Sequence, residues 1–572
     1  MDIIRVDMTD RKITLNQLPS EYKGWGGRGL TSLMINKEVD PECDPLGPKN
    51  KLIIAPGTLS GTGMVNTSRV SIGAKSPLTG GIKESNAGGT TGAVLGRLGI
   101  ACIVIEGQDV DNHLYILRID QGGSPALIPA DEYKGMKTYA LAESLIQTYG
   151  EKNSILCIGP AGEFKLSSAS IQATDVDGRP CRAAGRGGLG AVMGSKGIKA
   201  VVIDQKGAVK NSIAHPREFK EAAKEFAKAI KANPFTGRML SALGTAGLVG
   251  PVNSLGAFPN MNATRGVMDG WEEISGEALA ELIKKRGGKS AHMGCSQCIV
   301  RCSNEFVDTK GRYVTSSLEY ETIWSMGGMT GIKDLDNIAR LDYLCDDTGV
   351  DTMNTGVAIG VAMDAGLIRY GDGNAAIDMV EQIGQGSELG KILGNGPDHM
   401  GKHLSHHRVP TVKGQSIAAY DPRVMQGNGV TYATSPMGAD HTAGNLVGAY
   451  LSGALDPDQP EGGIEASRNA QISMILIDCT GMCLLAGAAL SMPGGKDALL
   501  KAINAKFGTN LNHDDILALS IRVLKEEIEF NRKAGLTNED DRLPEFFYTE
   551  PLPPHNKVLL ISGEDMDTVF NF

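Results

Sequence analysis

Two hydrophobic periods divide this sequence, and one layer of secondary structure cannot serve both. Up to about residue 205, short Val- and Ile-rich runs are bounded by Gly, Pro or Asp. These predict strands over Ile3–Met8, Lys12–Leu18, Lys51–Ala55, Ser68–Ala74, Ala101–Glu106, His113–Ile119, Ser154–Ile158 and Ala200–Ile203. Beyond that point apolar residues recur at helical spacing over Glu218–Ala232, Glu277–Arg286, Leu335–Asp346, Ala375–Ile383, Lys496–Phe507 and Asp514–Lys533. In the last of these Ile516, Leu519, Val523, Leu524 and Ile528 make one stripe, with Asn512 placed to cap it and Gly535 to end it. The pattern is α+β, a β-rich part followed by helical parts. Boundaries fall at Lys206–Pro216 and in the stretch His403–Pro410, giving domains 1–208, 209–410 and 411–572.

Composition narrows the function. With 41% hydrophobic and 21% charged residues the chain is globular. A net charge of −10 argues against a nucleic-acid partner. The start, Met1-Asp2-Ile3-Ile4-Arg5, has neither a basic segment nor an apolar one, and no long apolar run follows. A cytoplasmic chain without membrane association is expected. The 74 glycines among 572 residues are nearly twice the usual share of about 7% and follow no collagen period, which suits tight turns and close approach to ligands.

Ten cysteines in so long a chain cannot be a disulfide framework. Cys295-x-x-Cys298-x-x-x-Cys302 instead groups three thiols within one short stretch. Thiolates so close are held by a cation or a cluster. An iron–sulfur cluster accepts a distant fourth ligand, for which Cys345, Cys479 and Cys483 are candidates. A zinc site and unligated thiols are the alternatives, although the paired knuckles of structural zinc are missing. Cys43, Cys102, Cys157 and Cys181 read as buried apolar residues.

Asp346-Asp347-Thr348-Gly349-Val350-Asp351 and Asp478-Cys479-Thr480-Gly481-Met482-Cys483 both fit Asp-x-Thr-Gly-x-(Asp/Cys). Each can simply be a helix end with glycine in the left-handed region. Two matching acidic turns also suit two equivalent ligands, since a carboxylate accepts the paired N–H groups of an aminopyrimidinone edge such as a pterin's. In the first half Ser68-Arg69, Ser76–Gly80, Asn86-Ala87-Gly88-Gly89 and Arg182–Gly190 combine arginines with glycine turns, a phosphate-cradling composition. Gly185-x-Gly187-x-x-Gly190 matches a dinucleotide fingerprint, with Asp204 about 20 residues on, but follows a turn where that motif needs a strand.

Trp25–Leu30, Ser76–Gly80, Arg182–Lys196, Cys295–Cys302, Tyr320–Trp324, Cys345–Thr352, Tyr420–Arg423 and Asp478–Cys483 together resemble the tungsten-containing aldehyde ferredoxin oxidoreductase family over nearly the whole chain. The resemblance implies an N-terminal β-rich domain forming the base of a bis-pterin tungsten site, with two mainly helical domains over it. Tungsten would take its sulfur ligands from the pterins, and molybdenum is the alternative metal. It further implies that Cys295, Cys298, Cys302 and Cys483 hold one [4Fe-4S] cluster. Asp346, Gly349, Asp351 and Thr352 match one pterin-binding turn, and Asp478, Gly481 and Met482 match the other. Arg69 matches an arginine between pterin and cluster, and Gly88, Arg182 and Gly185 lie in matching cofactor loops. Asn86 and Ala183 match residues whose carbonyls hold a Mg2+ bridging the pterin phosphates. Glu321 and His441 match proton handlers near the metal. His399, His403, His406 and His407 receive no role.

The implied reaction is oxidation of an aldehyde to a carboxylic acid, with ferredoxin or a small Fe–S subunit taking the electrons. Two alternatives are the catalytic subunit of a low-potential aromatic-thioester (benzoyl-CoA type) reductase and a subunit that keeps only the cluster for electron transfer. The chain also departs from the pattern. Arg340 and Tyr343 replace a Glu-x-x-His pair that holds an interfacial metal in some homodimeric members, so an oligomer without that metal site is expected. Ala443 stands where some members carry a lysine.

Overall fold

A computed structural model describes residues 1–207 and 209–572. Its N-terminal part contains strands β1 (Asp2–Asp7), β2 (Lys12–Gln17), β3 (Leu52–Pro56), β4 (Val70–Lys75), β5 (Ile82–Ala87) and β6 (Ile100–Glu106), in the sheet order β2-β1-β6-β3-β4-β5. Strands β7 (Tyr115–Ile119), β8 (Pro125–Pro129), β9 (Asn153–Cys157), β10 (Ile171–Ala173), β11 (Arg182–Ala184) and β12 (Ile198–Asp204) follow, in the order β8-β7-β12-β9-β10-β11.

The second sheet is the first with each strand moved on by half the set. In both, the first strand pairs parallel with the last and every other pairing is antiparallel. Register then equates residues across the halves. Val70 opposes Ala87 as Ile171 opposes Ala184, and Ser71 opposes Asn86 as Gln172 opposes Ala183. Arg69 therefore corresponds to Ser170, and Asn86 to Ala183.

The two sheets face each other through Ile4, Leu52, Ile54 and Ile103 on one side and Leu117, Leu156 and Val201 on the other. The alternate residues Ile53, Ala55 and Val104 face outward onto Leu30 and Met34 of the helix Gly27–Glu38. On the second sheet Ile155, Cys157 and Val202 face Leu141 and Leu145 of the helix Thr138–Tyr149. Burial on both faces explains why the inner strands β3, β6 and β12 read as nearly continuous apolar runs.

All eight expected strands are present, but β5, β8, β10 and β11 were not foreseen. The fingerprint-like Gly185–Gly190 stretch leads from β11, antiparallel to β10, into the short helix Leu189–Ser195, so no parallel β-α-β unit stands behind it. Each of the six expected helices is present, from Pro216–Ala232 to His513–Lys533. Asn512 caps the last one by accepting from Asp514 and Asp515 N–H groups. The helix Thr352–Asp364, which sequence periodicity missed, is buried almost all round and so carries no stripe.

The helical portion packs about two cores. One joins Phe258, Trp324, Ile359 and Tyr432 to Phe547 near the C-terminus. The other joins Phe219 and Phe226 to Leu499 and Ile503 and reaches Cys298 and Met482. Strands β13 (Lys289–His292), β14 (Ser303–Val307) and β15 (Tyr313–Ser316) form a small sheet, and the three-cysteine stretch is the link between β13 and β14. Among the described residues no single helix is long and apolar enough to cross a membrane.

Candidate functional site

Both acidic turns end long helices, and each helix end is set on one half of the duplicated β framework. The helix Leu335–Thr348 stops at Gly349, φ 78°, and the helix Gly463–Thr480 stops at Gly481, φ 73°. These are left-handed conformations that favour glycine. The carbonyl of Gly481 accepts from Arg69 N–H at 3.1 Å, and that of Gly349 accepts from the equivalent Ser170 N–H at 2.9 Å. The approach is close enough to exclude side chains. A Cβ on Gly57 would run into the backbone of Thr480 and Gly481, and one on the equivalent Gly159 into that of Thr348 and Gly349.

Between these docked turns, β5, β11, the cysteine stretch and the helical portion lies a cavity of about 790 Å³. Cys295, Cys298, Cys302 and Cys483 all line it, as do Arg69, Asn86, Gly88, Arg182, Ala183, Gly185, Glu321, Asp346, Asp351, Thr352, Asp478 and His441. Gly349, Gly481 and Met482 do not. The glycines shape the turns behind the wall, and Met482 is buried in the second helical core. All ten cysteines are free; Cys43, Cys102 and Cys157 are buried away from the cavity, as expected of apolar residues, whereas the buried Cys181 lines it and its Sγ donates to Asp175 Oδ2 at 3.4 Å.

The thiols meet directed donors. Gly89 N–H donates to Cys295 Sγ at 3.3 Å, and Arg301 N–H and Asn66 Nδ2 each donate to Cys298 Sγ at 3.3 Å. A Cβ on Gly88 would lie 2.6 Å from Cys295 Sγ, so glycine there lets β5 and the thiols touch. Desolvation, and then the charge of Cys295, pushes the Cys298 thiol up, while desolvation followed by Glu319 and Cys483 pushes Cys302 well up. Thiols that resist ionising alone suit a site where a metal centre supplies the compensating charge.

Carboxylates behave likewise. Burial pushes Asp346 and Asp478 well above the ordinary range, with Asp342 and Glu84 as the next contributors, respectively. Asp342, one helical turn before Asp346, is pushed up to about 7 by burial although Thr315 Oγ1 donates to it at 2.6 Å. Arg28 Nη1 reaches Asp478 at 3.3 Å. Arg186 Nε reaches Asp351 at 3.2 Å, while its Nη1 donates to Ala439 O at 2.8 Å.

On the helical side Glu321 Oε1 faces His441 Nε2 at 3.3 Å, and Glu321 Oε2 accepts from Ala419 N–H at 3.0 Å. Burial raises the Glu321 carboxyl and His441 partly offsets it. Asp440, before His441, is paired with the buried Lys83 at 2.9 Å, and its Oδ1 accepts from Thr442 N–H. Its carboxyl, though desolvated, is held far below the usual range by Lys83 and Arg186. Tyr320 and Tyr420 form the adjoining wall, with ring centroids 5.6 Å apart.

Sequence reading gives no site role to Asn66, Glu84, Arg186, Glu319, Asp342, Tyr420 and Asp440, all of which line the cavity. Arg186 had a signal, since it lies inside the glycine–arginine stretch, and Asp342 had none beyond helical spacing from Asp346.

The wall fits a bound polar group that offers both donors and acceptors. Arg182 Nε and Nη2 and His441 Nδ1 are buried without hydrogen-bond partners, and Glu321 Oε1 meets His441 out of line for a hydrogen bond. Buried polar atoms are ordinarily paired, so orphans around one cavity point to an occupant that pairs them.

Grouped thiols suit one-electron traffic, and a desolvated carboxyl beside an imidazole suits proton transfer. Together they describe an oxidoreductase working round a bound redox group. Comparison gives the particular kind. The chain belongs to the aldehyde ferredoxin oxidoreductase family, whose N-terminal domain matches residues 3–205 and whose domains 2 and 3 match residues 221–568. The tungsten-containing aldehyde ferredoxin oxidoreductase of Pyrococcus furiosus is 34% identical over 96% of this chain and 91% of its own. That of Thermococcus kodakarensis is 33% identical over the same shares. Among solved structures, the active-site complex BamBC of benzoyl coenzyme A reductase, in complex with 1,5 dienoyl-CoA, has the same fold. Its TM-score is 0.80 at 19% identity, covering 99% of this chain and 92% of that one.

Proposed function

We propose that the chain oxidises an aldehyde to its carboxylic acid beside a tungsten-pterin centre bound in this cavity. Cys295, Cys298, Cys302 and Cys483 are the proposed ligands of one [4Fe-4S] cluster, and ferredoxin or a small Fe–S subunit is the electron acceptor. The observation that carries the reading is the Glu321–His441 contact at 3.3 Å on the wall that the four cysteines and both acidic turns share. The names of the curated relatives supply tungsten and aldehyde.

When bound, the centre supplies the two-electron redox chemistry. The residues of the chain do the rest. In the overall reaction the aldehyde gains the oxygen of one water, and two protons and two electrons leave. Glu321, its carboxyl raised by burial and fixed by Ala419 N–H, takes a proton from that water or from the aldehyde hydrate. His441 Nε2 donates to the carbonyl oxygen as charge develops there. Tyr320 and Tyr420 keep the wall dry.

Asp346, Asp351 and Asp478 are the proposed acceptors for pterin N–H groups, with Thr352 beside them. Arg69, Gly88, Arg182 and Gly185 are the proposed cofactor-facing loop residues. The carbonyls of Asn86 and Ala183 are proposed to hold Mg2+. Support comes from their equivalence in the duplicated sheets, since one cation between two like groups calls for one ligand from each half. Ten free thiols suit the cytoplasm, where such groups stay reduced.

Protein purified without oxygen and analysed by plasma mass spectrometry should contain about one tungsten and about four irons per chain. It should reduce a viologen dye with aldehydes and not with benzoyl-thioester products. Iron without tungsten or molybdenum would mean an electron-transfer subunit, and zinc without iron would remove the cluster assignment.

A further inference from the structure

Asn66 directs every hydrogen-bonding group it has at the two cysteine-bearing segments. It lies in the 57–69 loop that joins β3 to β4. Its N–H donates to Gln297 O at 3.1 Å, and its carbonyl accepts from Cys483 N–H at 2.8 Å. Its Oδ1 accepts from Ile299 N–H at 3.1 Å, and its Nδ2 donates to Cys298 Sγ at 3.3 Å. The residue is buried, with φ 58°, a left-handed conformation that Asn, Asp and Gly hold more readily than other residues.

The duplicated framework shows what is special about this loop. The first copy docks the second acidic turn through Arg69 N–H, and the second copy, residues 159–170, docks the first acidic turn through Ser170 N–H. Turn docking is common to both copies, whereas the contacts to cysteine segments belong to the first copy through Asn66. One short loop thus fixes an acidic turn and the thiols relative to each other.

Among the described residues, the Asn66 amide is the side-chain donor that reaches a sulfur of the cysteine set, while Gly89 and Arg301 reach theirs through the backbone. An N–H aimed at a ligating sulfur offsets its negative charge and favours the reduced state of a cluster bound there. Resting on the cluster reading proposed above, we infer that Asn66 is a positioning residue that raises the reduction potential of the iron–sulfur cluster through its Nδ2–H···Sγ bond to Cys298.

The test uses tungsten-loaded enzyme prepared without oxygen. Iron content and the cluster midpoint, followed by electron paramagnetic resonance during a redox titration, are compared for wild type, Asn66→Gly and Asn66→Asp. Glycine keeps the left-handed backbone and its two main-chain bonds but removes both side-chain bonds. Aspartate keeps the acceptor for Ile299 N–H and puts an anionic oxygen where the donor was. The expected result is wild-type iron in both variants, a lower midpoint in Asn66→Gly and a still lower one in Asn66→Asp. Full iron with unmoved midpoints would overturn the inference, and so would loss of iron in Asn66→Gly, which would make the residue a structural fastener alone. Wild-type protein without iron would remove the cluster reading itself, and the inference with it.

Discussion

At the scale of single residues, burial in one cavity turns ordinary side chains into poised ones. Glu321 illustrates the balance, because desolvation raises its carboxyl while His441 at 3.3 Å pulls it back. Its basic form disappears as pH falls through the raised value. The acidic limb of kcat should therefore lie above the roughly 4.3 of a free glutamate. Replacing Glu321 by Gln keeps an acceptor for Ala419 N–H but removes the proposed base. We expect Glu321→Gln to lose about two to four orders of magnitude in kcat, with tungsten and iron contents at wild-type levels. Steady-state rates across pH, read beside metal analysis, check this, and an unaltered kcat would end the assignment of Glu321 as the base.

At the scale of elements, the acidic turns depend on glycines that are nowhere near them in sequence. Gly57 follows β3, and a Cβ there would press on the backbone of Gly481. Gly57→Ala should push the second turn off its seat and lower the tungsten bound per chain by half or more. Gly535 provides the contrast, since its φ is 94° but nothing lies within 4 Å of a Cβ. Gly535→Ala should keep its tungsten and lose only about 1 kcal/mol of stability to backbone strain. Metal analysis beside a thermal melt separates the two.

The same elements show what could be read beforehand. The turns, the cysteine stretch and the capped helix at Asn512 were legible because glycine, thiol and cap chemistry are local. Strand β5 was not. Its Lys83, Glu84, Ser85 and Asn86 are polar because they approach the cavity or its supporting ion pairs, and a strand that serves a site loses the apolar alternation that announces strands. The duplication was hidden for a related reason. Equivalent positions carry Arg69 and Ser170, or Asn86 and Ala183, so backbone geometry is repeated while side-chain chemistry has diverged.

At the scale of the whole molecule, a buried arginine ties the helix Gly27–Glu38 to the helix His513–Lys533. Arg28, on the first helix, donates from Nε and Nη2 to both oxygens of Glu527 at 2.8 Å across 499 residues of sequence, and also reaches Asp478 at 3.3 Å. Glu527 is fully buried and accepts a further bond from Ser32 Oγ at 2.7 Å. Removing one partner of such a pair leaves an uncompensated buried charge and costs about 3–5 kcal/mol, whereas replacing both by apolar groups is close to neutral. Arg28→Met should therefore lower the melting temperature by several degrees, and Arg28→Met with Glu527→Met should recover most of it. Tungsten content should behave differently, because Asp478 loses its guanidinium partner in both variants. We expect it to fall in the single variant and to stay low in the double one. A double variant that regains both stability and tungsten would show that Arg28 serves the fold alone, with no part in presenting the second acidic turn.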